Sequence, residues 1–266
     1  MSFGAPSGRR GMTTVVSADG TKIACSETGS GPPLVVVDPA GAYRGFGSLT
    51  SLIPELARAF TTVTYDRRGR GESGDTLPYA PDREVEDLAA VIAGPGGGEA
   101  LVFGFSSGAL VALRAGAGDA PISRLALLEP PLAEEGAGAD PLTAELDELV
   151  GAGRRVEAVM RFHEAIGVPE EIVAGMGDET VAAMAAIAHT LVYDCRLGDG
   201  TSAATARSVD VPTLVLDSQG SSDDLTGWAA SVAANLPRGT HRSLAGDWHG
   251  VPDADLAAAL WDWFLA

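Results

Sequence analysis

Residues 104–108 read Gly-Phe-Ser-Ser-Gly and place Ser106 at the centre of a glycine-x-serine-x-glycine pattern. A strand-like run over 101–105 precedes Ser106, and a helix-like run over 107–116 follows it. In such a strand–turn–helix the glycines allow a tight turn, and the serine hydroxyl stands exposed beside a helix N-terminus that favours developing negative charge. The pattern predicts that Ser106 is a catalytic nucleophile; the alternative is an ordinary loop rich in glycine and serine.

A nucleophilic serine needs a base, and His249 is the histidine best placed to supply it. It lies in the stretch Gly-Asp-Trp-His-Gly, after the last strand-like run and before the final helix-like run. The other three histidines lie in a strand-like run (His241) or in a helical middle segment (His163 and His189). A neutral imidazole can accept the Ser106 proton and return it to the leaving group. The alternative is a histidine in a surface loop.

Charge and composition limit the classes of partner. The chain has 266 residues, and its 36 acidic against 18 basic residues give a formal net charge of −18. Nucleic acids and anionic membranes bind basic surfaces, so neither is an expected partner. Cys25 and Cys195 have no C-x-x-C neighbour, so we expect no metal site. No apolar run long enough for a signal peptide or membrane span is visible, which predicts a cytoplasmic protein acting on a small molecule.

The elements that must position Ser106 and His249 follow an alternating order. Short apolar runs alternate with helix-like stretches, which is typical of an α/β fold with a mostly parallel sheet. The turn at 18–20 favours an antiparallel hairpin between the first two strands. The predicted strands cover 13–17, 23–26, 34–38, 62–65, 101–105, 125–128, 213–216 and 241–244. The predicted helices between them cover about 48–59, 82–94, 107–116, 227–235 and 254–265.

One long segment interrupts this alternation and predicts an inserted helical cap. It has no strand-like run, and its stretches 145–167 and 179–198 have helical patterns. The proline- and glycine-rich stretch 129–141 indicates a hinge into the insertion, and such insertions after a parallel strand usually lie over a site. The predicted organisation is a first part of the core over 1–131, a helical cap over 132–208 and a second part of the core over 209–266.

The order of these motifs resembles the α/β-hydrolase family. Residues 66–73, Asp-Arg-Arg-Gly-Arg-Gly-Glu-Ser, are similar to the family's D-x-R-G-x-G-x-S segment, which we expect to brace loops rather than to touch substrate. The serine pattern, the helical insertion and the late histidine follow in the family's order, over nearly the whole chain from about residue 12. The resemblance implies an eight-stranded, mostly parallel sheet flanked by helices, an inserted cap, and a serine–histidine–acid triad that needs no metal or organic cofactor.

The resemblance leaves the acid of the triad open among several carboxylates. The family's usual position, three residues after Gly220, gives Asp223 as the preferred acid. Asp217 and Asp224 compete with it. Some enzymes of this fold place the acid after the sixth strand, which here gives Glu129 as the alternative acid. A carboxylate from either loop can hold the imidazole tautomer and stabilise the imidazolium.

The resemblance also implies an oxyanion hole made of the Ser107 amide and one amide from the loop after the third strand. Many relatives carry His-Gly where this chain has Asp38-Pro39. Proline has no N–H group, so Ala40 is the expected second donor. The Asp38 carboxylate would oppose an oxyanion unless it is turned away or neutralised. It is therefore either a substrate-binding residue or a strand-end residue that caps the loop.

Two residues of the insertion are candidates for substrate binding. His189 and Tyr193 lie one turn apart on the predicted helix 179–198 and share a face. Facing the cavity, they would bind a polar substrate group; the alternative is packing and hydrogen bonding within the insertion.

These predictions favour a serine hydrolase that cleaves an ester, thioester or lactone of a small to medium, largely apolar substrate through an acyl-enzyme. A serine nucleophile argues against the epoxide-hydrolase and haloalkane-dehalogenase mechanisms of the same family, which use a carboxylate. Two alternatives stay open on the same fold: a non-hydrolytic or carbon–carbon bond-cleaving enzyme, and a ligand-binding protein of low turnover. The sequence indicates neither the substrate nor the oligomeric state.

Overall fold

The computed structural model describes residues 10–132, 135–136 and 138–266, and its central element is an eight-stranded sheet. Each strand-like run predicted from the sequence overlaps one of its strands. In chain order these are β1 (Arg10–Val16), β2 (Lys22–Gly29), β3 (Pro33–Val37), β4 (Thr61–Tyr65), β5 (Ala100–Phe105), β6 (Ile122–Leu128), β7 (Thr213–Ser218) and β8 (Gly239–Leu244).

The spatial order of the strands is β1-β2-β4-β3-β5-β6-β7-β8. The hairpin of β1 and β2 is antiparallel, as predicted, and so is the β2–β4 pair, whereas all later pairs are parallel. The predicted α/β fold with a mostly parallel sheet flanked by helices is therefore confirmed. The carboxyl ends of the parallel strands meet at one edge of the sheet, which is the edge that carries ligand sites in such folds.

The central strands are buried on both faces by helices. On β3, Val35 and Val37 pack into the core on one face, and Leu34 and Val36 pack into the core on the other. This alternation follows the two-residue period of a strand. The helices of the core are α1 (Leu52–Leu56), α2 (Pro81–Ala93) and α3 (Ser107–Gly116), with α10 (Asp223–Asn235) and α11 (Asp253–Phe264) after the insertion.

The insertion between β6 and β7 is helical and has an apolar core of its own, which includes Leu146, Phe162 and Leu191. The boundaries 132 and 208 stay predictions, and residues 133, 134 and 137 of the predicted hinge lie outside the described residues. The helices of the insertion are α4 (Pro141–Gly151), α5 (Arg155–Ala165), α6 (Glu170–Ala174), α7 (Asp178–Ala186), α8 (His189–Asp199) and α9 (Ala203–Arg207).

The long helices predicted in the insertion are each divided in two. The predicted helix over 145–167 is interrupted between α4 and α5, where Gly153 adopts a left-handed φ of 75°. The predicted helix over 179–198 is likewise interrupted between α7 and α8. In both cases apolar residues at helical spacing lie on each side of the break, so the sequence pattern alone indicates one longer helix.

The turn from β5 into α3 requires its two glycines because backbone segments approach each other there. A Cβ on Gly108 would lie 2.3 Å from the carbonyl oxygen of Val37, at the end of β3. A Cβ on Gly104 would lie 2.6 Å from the carbonyl oxygen of Gly108 itself. Backbone atoms cannot rotate away as a side chain can, so both positions exclude any larger residue without local rearrangement.

We therefore expect Gly108→Ala to lower the free energy of unfolding by about 3 kcal/mol, measured by urea denaturation at neutral pH. The matched control is Gly151→Ala at the end of α4, where a Cβ meets nothing within 4 Å. That control should stay within about 1 kcal/mol of the wild type. Equal stability of the two variants would contradict the close approach of α3 to β3.

Candidate active site

Ser106 lies at the sharp turn between β5 and α3, as the serine pattern predicts. Its backbone has φ 53° and ψ −122°, and its N–H donates a 2.8 Å hydrogen bond to the carbonyl oxygen of Leu128 on β6. A non-glycine residue rarely adopts a positive φ, so the conformation is held by the surrounding structure. The hydroxyl is thereby placed at the carboxyl edge of the sheet, in the wall of a cavity.

Positive φ values point to two further residues at this edge. Among the described residues, the non-glycine residues with positive φ are Ser106 (53°), Glu129 (46°) and His249 (51°). They come from three different loops, yet Glu129 contacts His249, and His249 and Ser106 line the same cavity. Strained backbone of this kind concentrates at functional sites, which makes these three residues the leading candidates for a shared role.

The carboxylate that contacts His249 is that of Glu129, which directly follows β6. Nδ1 of His249 donates to Oε2 of Glu129. The other carboxylate oxygen, Oε1, accepts from the Ser218 amide at 2.7 Å and from the Ser221 hydroxyl at 2.6 Å. The Ser221 hydroxyl also accepts a hydrogen bond from the backbone N–H of His249 at 2.9 Å. Both the acid and the histidine loop are therefore held by the segment after β7.

Glu129 is completely buried, yet its environment favours the charged form. Burial alone would raise its pKa, but the hydrogen bonds from His249, Ser221 and Ser218 together lower the pKa below its usual value. Glu129 is therefore ionised at neutral pH and keeps the proton of a neutral His249 on Nδ1. This leaves Nε2 as the ring nitrogen that can accept a proton.

The preference for Asp223 as the acid is corrected by this geometry. Asp223 is the exposed first residue of α10, where an acidic side chain favours the positive end of the helix dipole. Asp217 is engaged with His241 and Ser243 on β8, and Asp224 lies in the cavity wall. The alternative acid, Glu129, takes the place beside the imidazole.

Ser106 and His249 share the cavity, but among the described residues no hydrogen bond joins their side chains. Phe105 packs against the imidazole, with ring centroids 4.6 Å apart. Catalytic hydrogen bonds are often long before a substrate is bound and tighten in the complex. The lack of a hydrogen bond between Ser106 and His249 is therefore compatible with their expected roles as nucleophile and base.

The expected oxyanion-hole residues, Ser107 and Ala40, also line the cavity. Ser107 is the first residue of α3, where a helix leaves its N–H groups without intrahelical partners. Within the described part of the chain, neither the Ser107 N–H nor the Ala40 N–H donates to a protein acceptor. Both amides stay the candidate donors for an oxyanion.

Two buried arginines from the 66–73 segment brace the oxyanion loop. Arg67 donates to the Ser107 hydroxyl at 2.9 Å, and Arg70 donates to the carbonyl oxygen of Pro39 at 2.6 Å. Both pair with Asp194 on α8: Arg70 donates to each carboxylate oxygen at 2.8 Å, and Arg67 lies 3.0 Å away. Asp194 directly follows Tyr193 in the apolar stretch Leu-Val-Tyr-Asp-Cys, and an acid in such a stretch indicates a buried partner.

Asp38 is buried behind the oxyanion loop and is not among the described residues that line the cavity. Burial raises its pKa to about 7, although Arg70 and Arg67 nearby oppose this rise. Asp38 is therefore about half protonated at pH 7, and its protonated form does not repel a developing oxyanion. The structure therefore favours the strand-end interpretation of Asp38 over a role in substrate binding.

We expect the free energy of unfolding of the wild type to decrease as the pH rises, and we expect Asp38→Asn to remove this decrease. The unfolded chain releases this proton near pH 3.9, whereas the folded protein holds it up to about pH 7. Wild-type stability therefore falls between these values, and at about pH 8 the variant should be more stable by on the order of 2 to 4 kcal/mol. Urea denaturation at several pH values, with Asp223→Asn as an exposed control, measures this. Parallel pH profiles for Asp38→Asn and wild type would contradict it.

His189 and Tyr193 lie on a face of α8 that turns away from the cavity, so their expected role in substrate binding is corrected. Tyr193 donates to Asp75 at 2.9 Å, and Nε2 of His189 lies 3.4 Å from the same carboxylate oxygen. The Tyr193 ring stacks on Tyr79 with centroids 3.9 Å apart. These contacts match the alternative stated above, packing and hydrogen bonding by the insertion. Their partners, Asp75 and Tyr79, belong to the core.

The cavity has a volume of about 1060 Å³ and is bounded by the core on one side and by the insertion on the other. Its size suits a small to medium organic molecule. In the part of the chain that the structure describes, no group of three or more metal-binding side chains is assembled, and no helix is long and apolar enough to cross a membrane. The walls contributed by the insertion include Phe162, His163, Asp194 and Cys195.

Comparison with known proteins gives several matches. A profile described as "Alpha/beta hydrolase family" matches residues 34–261. The crystal structure of an alpha/beta hydrolase from Sphaerobacter thermophilus is 43% identical, with a TM-score of 0.86 over 95% of this chain and 100% of that chain. An N-formylmaleamate deformylase from Pseudomonas putida is 39% identical over 89 residues, 32% of this chain and 33% of the deformylase. The chain thus matches about a third of that curated relative.

A more distant solved structure shares the fold. The enol-lactonase from Burkholderia xenovorans has a TM-score of 0.74 at 18% identity, over 96% of this chain and 100% of that chain.

Proposed function

Since the chain belongs to the alpha/beta hydrolase family and is a hydrolase, we propose that it works as a serine hydrolase through Ser106, His249 and Glu129. The observation that carries the proposal is the buried Glu129 carboxylate on Nδ1 of His249, in the wall of the cavity that also contains the strained Ser106. This arrangement supplies an oriented base in the same cavity as a partly exposed nucleophile.

The reaction follows from the positions of these groups. The Ser106 oxygen attacks the substrate carbonyl while Nε2 of His249 takes the hydroxyl proton. The imidazolium gives this proton to the leaving group, and the Ser106 ester that forms is hydrolysed by a water molecule that His249 deprotonates. Glu129 holds the tautomer and stabilises the imidazolium. The amides of Ser107 and Ala40 stabilise the oxyanion of both tetrahedral intermediates.

The substrate class is an ester, thioester or lactone of small to medium size. Apolar side chains make up much of the cavity wall, which supports a largely apolar acyl or alcohol part. The insertion forms one side of this cavity, and this supports its role as a cap over the site, with the predicted span 132–208. The apolar wall includes Phe105, Leu132, Phe162, Leu225 and Trp248.

A series of p-nitrophenyl esters of increasing acyl length tests the proposed activity. We expect turnover with a maximum of kcat/KM at a short to medium chain, because the cavity is bounded by the insertion. The same series with His249→Ala should show turnover lowered by at least about 10³-fold, since the variant has no base. A wild-type protein that hydrolyses none of these esters, nor a thioester or lactone, would contradict the proposal.

A further inference from the structure

The charge of the cavity wall restricts the substrate further. Five acidic residues and one arginine, Arg161, are among the described residues of the lining. Nε of Arg161 lies 2.9 Å from both carboxylate oxygens of Glu145, and Nη1 lies 3.6 Å from Glu164. This guanidinium is therefore already neutralised. The acidic residues of the lining are Asp140, Glu145, Asp194, Asp199 and Asp224. Glu145 is paired with Arg161, and Asp194 is paired with Arg67 and Arg70 behind the wall.

An anionic substrate group would be destabilised in such a cavity. A carboxylate loses its hydration on entering, and this loss is unfavourable unless a cation or several donors replace the water. No unpaired guanidinium or ammonium group is found among the described lining residues. The formal net charge of −18 also disfavours the approach of anions.

His163 provides a polar group in the same wall without providing charge. It lies on α5, it is 6% exposed, and it lines the cavity. Burial lowers its pKa, so the imidazole is neutral at neutral pH. Its Nδ1 is buried without a hydrogen-bond partner, and within the described chain neither ring nitrogen bonds to another residue.

An unpaired polar atom in a buried position is unfavourable by about 1 to 3 kcal/mol, so native structures rarely keep one without a use. A neutral imidazole can donate one hydrogen bond and accept another, and it therefore matches a carbonyl or a hydroxyl group. Phe162 and Cys195, which also line the cavity, offer no comparable hydrogen-bonding group.

We propose that His163 is a specificity-determining residue that hydrogen-bonds an uncharged polar group of the substrate, a ketone or a hydroxyl, away from the reacting carbonyl. The same cavity rejects substrates that carry a carboxylate in that region. This inference rests on the proposed serine hydrolase activity and names the substrate class for it.

The test compares matched esters that differ only in the group away from the reaction. On the acyl side, p-nitrophenyl esters of pentanoate, hexanoate and octanoate are compared with oxo-substituted and ω-carboxylate forms of equal chain length. On the alcohol side, 4-ethylphenyl, 4-acetylphenyl and 4-carboxyphenyl hexanoates are compared. For each pair the ratio of kcat/KM values is measured after subtraction of uncatalysed hydrolysis.

Three variants separate recognition from folding. His163→Phe removes the hydrogen bond but keeps a ring, and His163→Gln keeps a donor and an acceptor. Glu157→Gln is the control, because Glu157 is exposed on the same helix and is not among the described lining residues. Circular dichroism and thermal unfolding show whether each variant is folded. The ratio of kcat/KM values for two esters, measured with the same variant, does not depend on the fraction of the protein that is active.

In at least one pair we expect the wild type to prefer the ketone over the alkyl ester about five- to tenfold, the size of one net hydrogen bond. His163→Phe should abolish this preference, whereas His163→Gln and Glu157→Gln should keep it. The carboxylate forms should be at least about tenfold poorer than the alkyl esters. The inference is overturned if no pair shows the preference, if His163→Phe keeps it, or if carboxylates are accepted as well as alkyl groups.

These outcomes are distinct from a failure of the proposed function. Turnover of the alkyl esters without a preference that depends on His163 leaves the serine hydrolase in place and removes only the role of His163. Absence of turnover for every ester overturns the proposed function, and the inference with it.

Discussion

Glu129→Gln is expected to lower kcat by about 10⁴-fold, because glutamine reverses the direction of the hydrogen bond to the imidazole. The Oε1 atom of Gln can still accept from the Ser218 amide and the Ser221 hydroxyl, so its NH₂ group faces Nδ1 of His249. The histidine proton then moves to Nε2, and a protonated Nε2 cannot take the proton of Ser106. The loop geometry stays intact, and the loss is in kcat rather than in folding.

The control for this variant is Asp223→Asn, which removes the carboxylate that the family's usual spacing favours. Asp223 is exposed at the start of α10, so its replacement should leave kcat within about twofold and should change stability by no more than about 0.5 kcal/mol. Steady-state kinetics on one p-nitrophenyl ester measure both variants. A large loss with Asp223→Asn and a small one with Glu129→Gln would reverse the assignment of the acid.

Ser106→Ala is expected to lower kcat by on the order of 10⁵- to 10⁶-fold, because it removes the oxygen atom that forms the acyl-enzyme. The variant should fold, since alanine fits a position where only the hydroxyl is removed. It should also bind ester with little change in affinity, because the walls and the two oxyanion amides are unaltered.

A serine outside the site provides the comparison. Ser123 is exposed on the first part of β6, away from the carboxyl edge of the sheet. Ser123→Ala should therefore retain kcat within about twofold. Turnover by Ser106→Ala at even a tenth of the wild-type rate would contradict a serine nucleophile at this position. It would favour a water molecule activated directly by His249.

The strands were predictable because their signal is local. Runs such as 34–37 and 214–216 are apolar at every position, which indicates burial on both faces and leaves little choice of structure. The helices of the insertion were less predictable. Apolar residues at helical spacing lie on both sides of the stretch 151–155, and the division into α4 and α5 depends on how the two helices pack against each other.

The nucleophile and the base were predictable for a related reason, since the turn around Ser106 and the late position of His249 are properties of short segments. The acid was not. Glu129 and Asp223 both follow a core strand, and the distance of either from the imidazole depends on where α10 begins and how the loop after β7 folds. The orientation of His189 and Tyr193 depends in the same way on the packing of α8 against the core.

The most direct test of a serine nucleophile is reaction with a fluorophosphonate, followed by intact-mass measurement and mapping of the modified peptide. The predicted result is one adduct per chain, located on Ser106. Glu129→Gln should react much more slowly, Asp223→Asn should react at the wild-type rate, and Ser106→Ala should not react. An unmodified wild-type protein, or an adduct on any other residue, would contradict the assignment of Ser106 as the activated nucleophile.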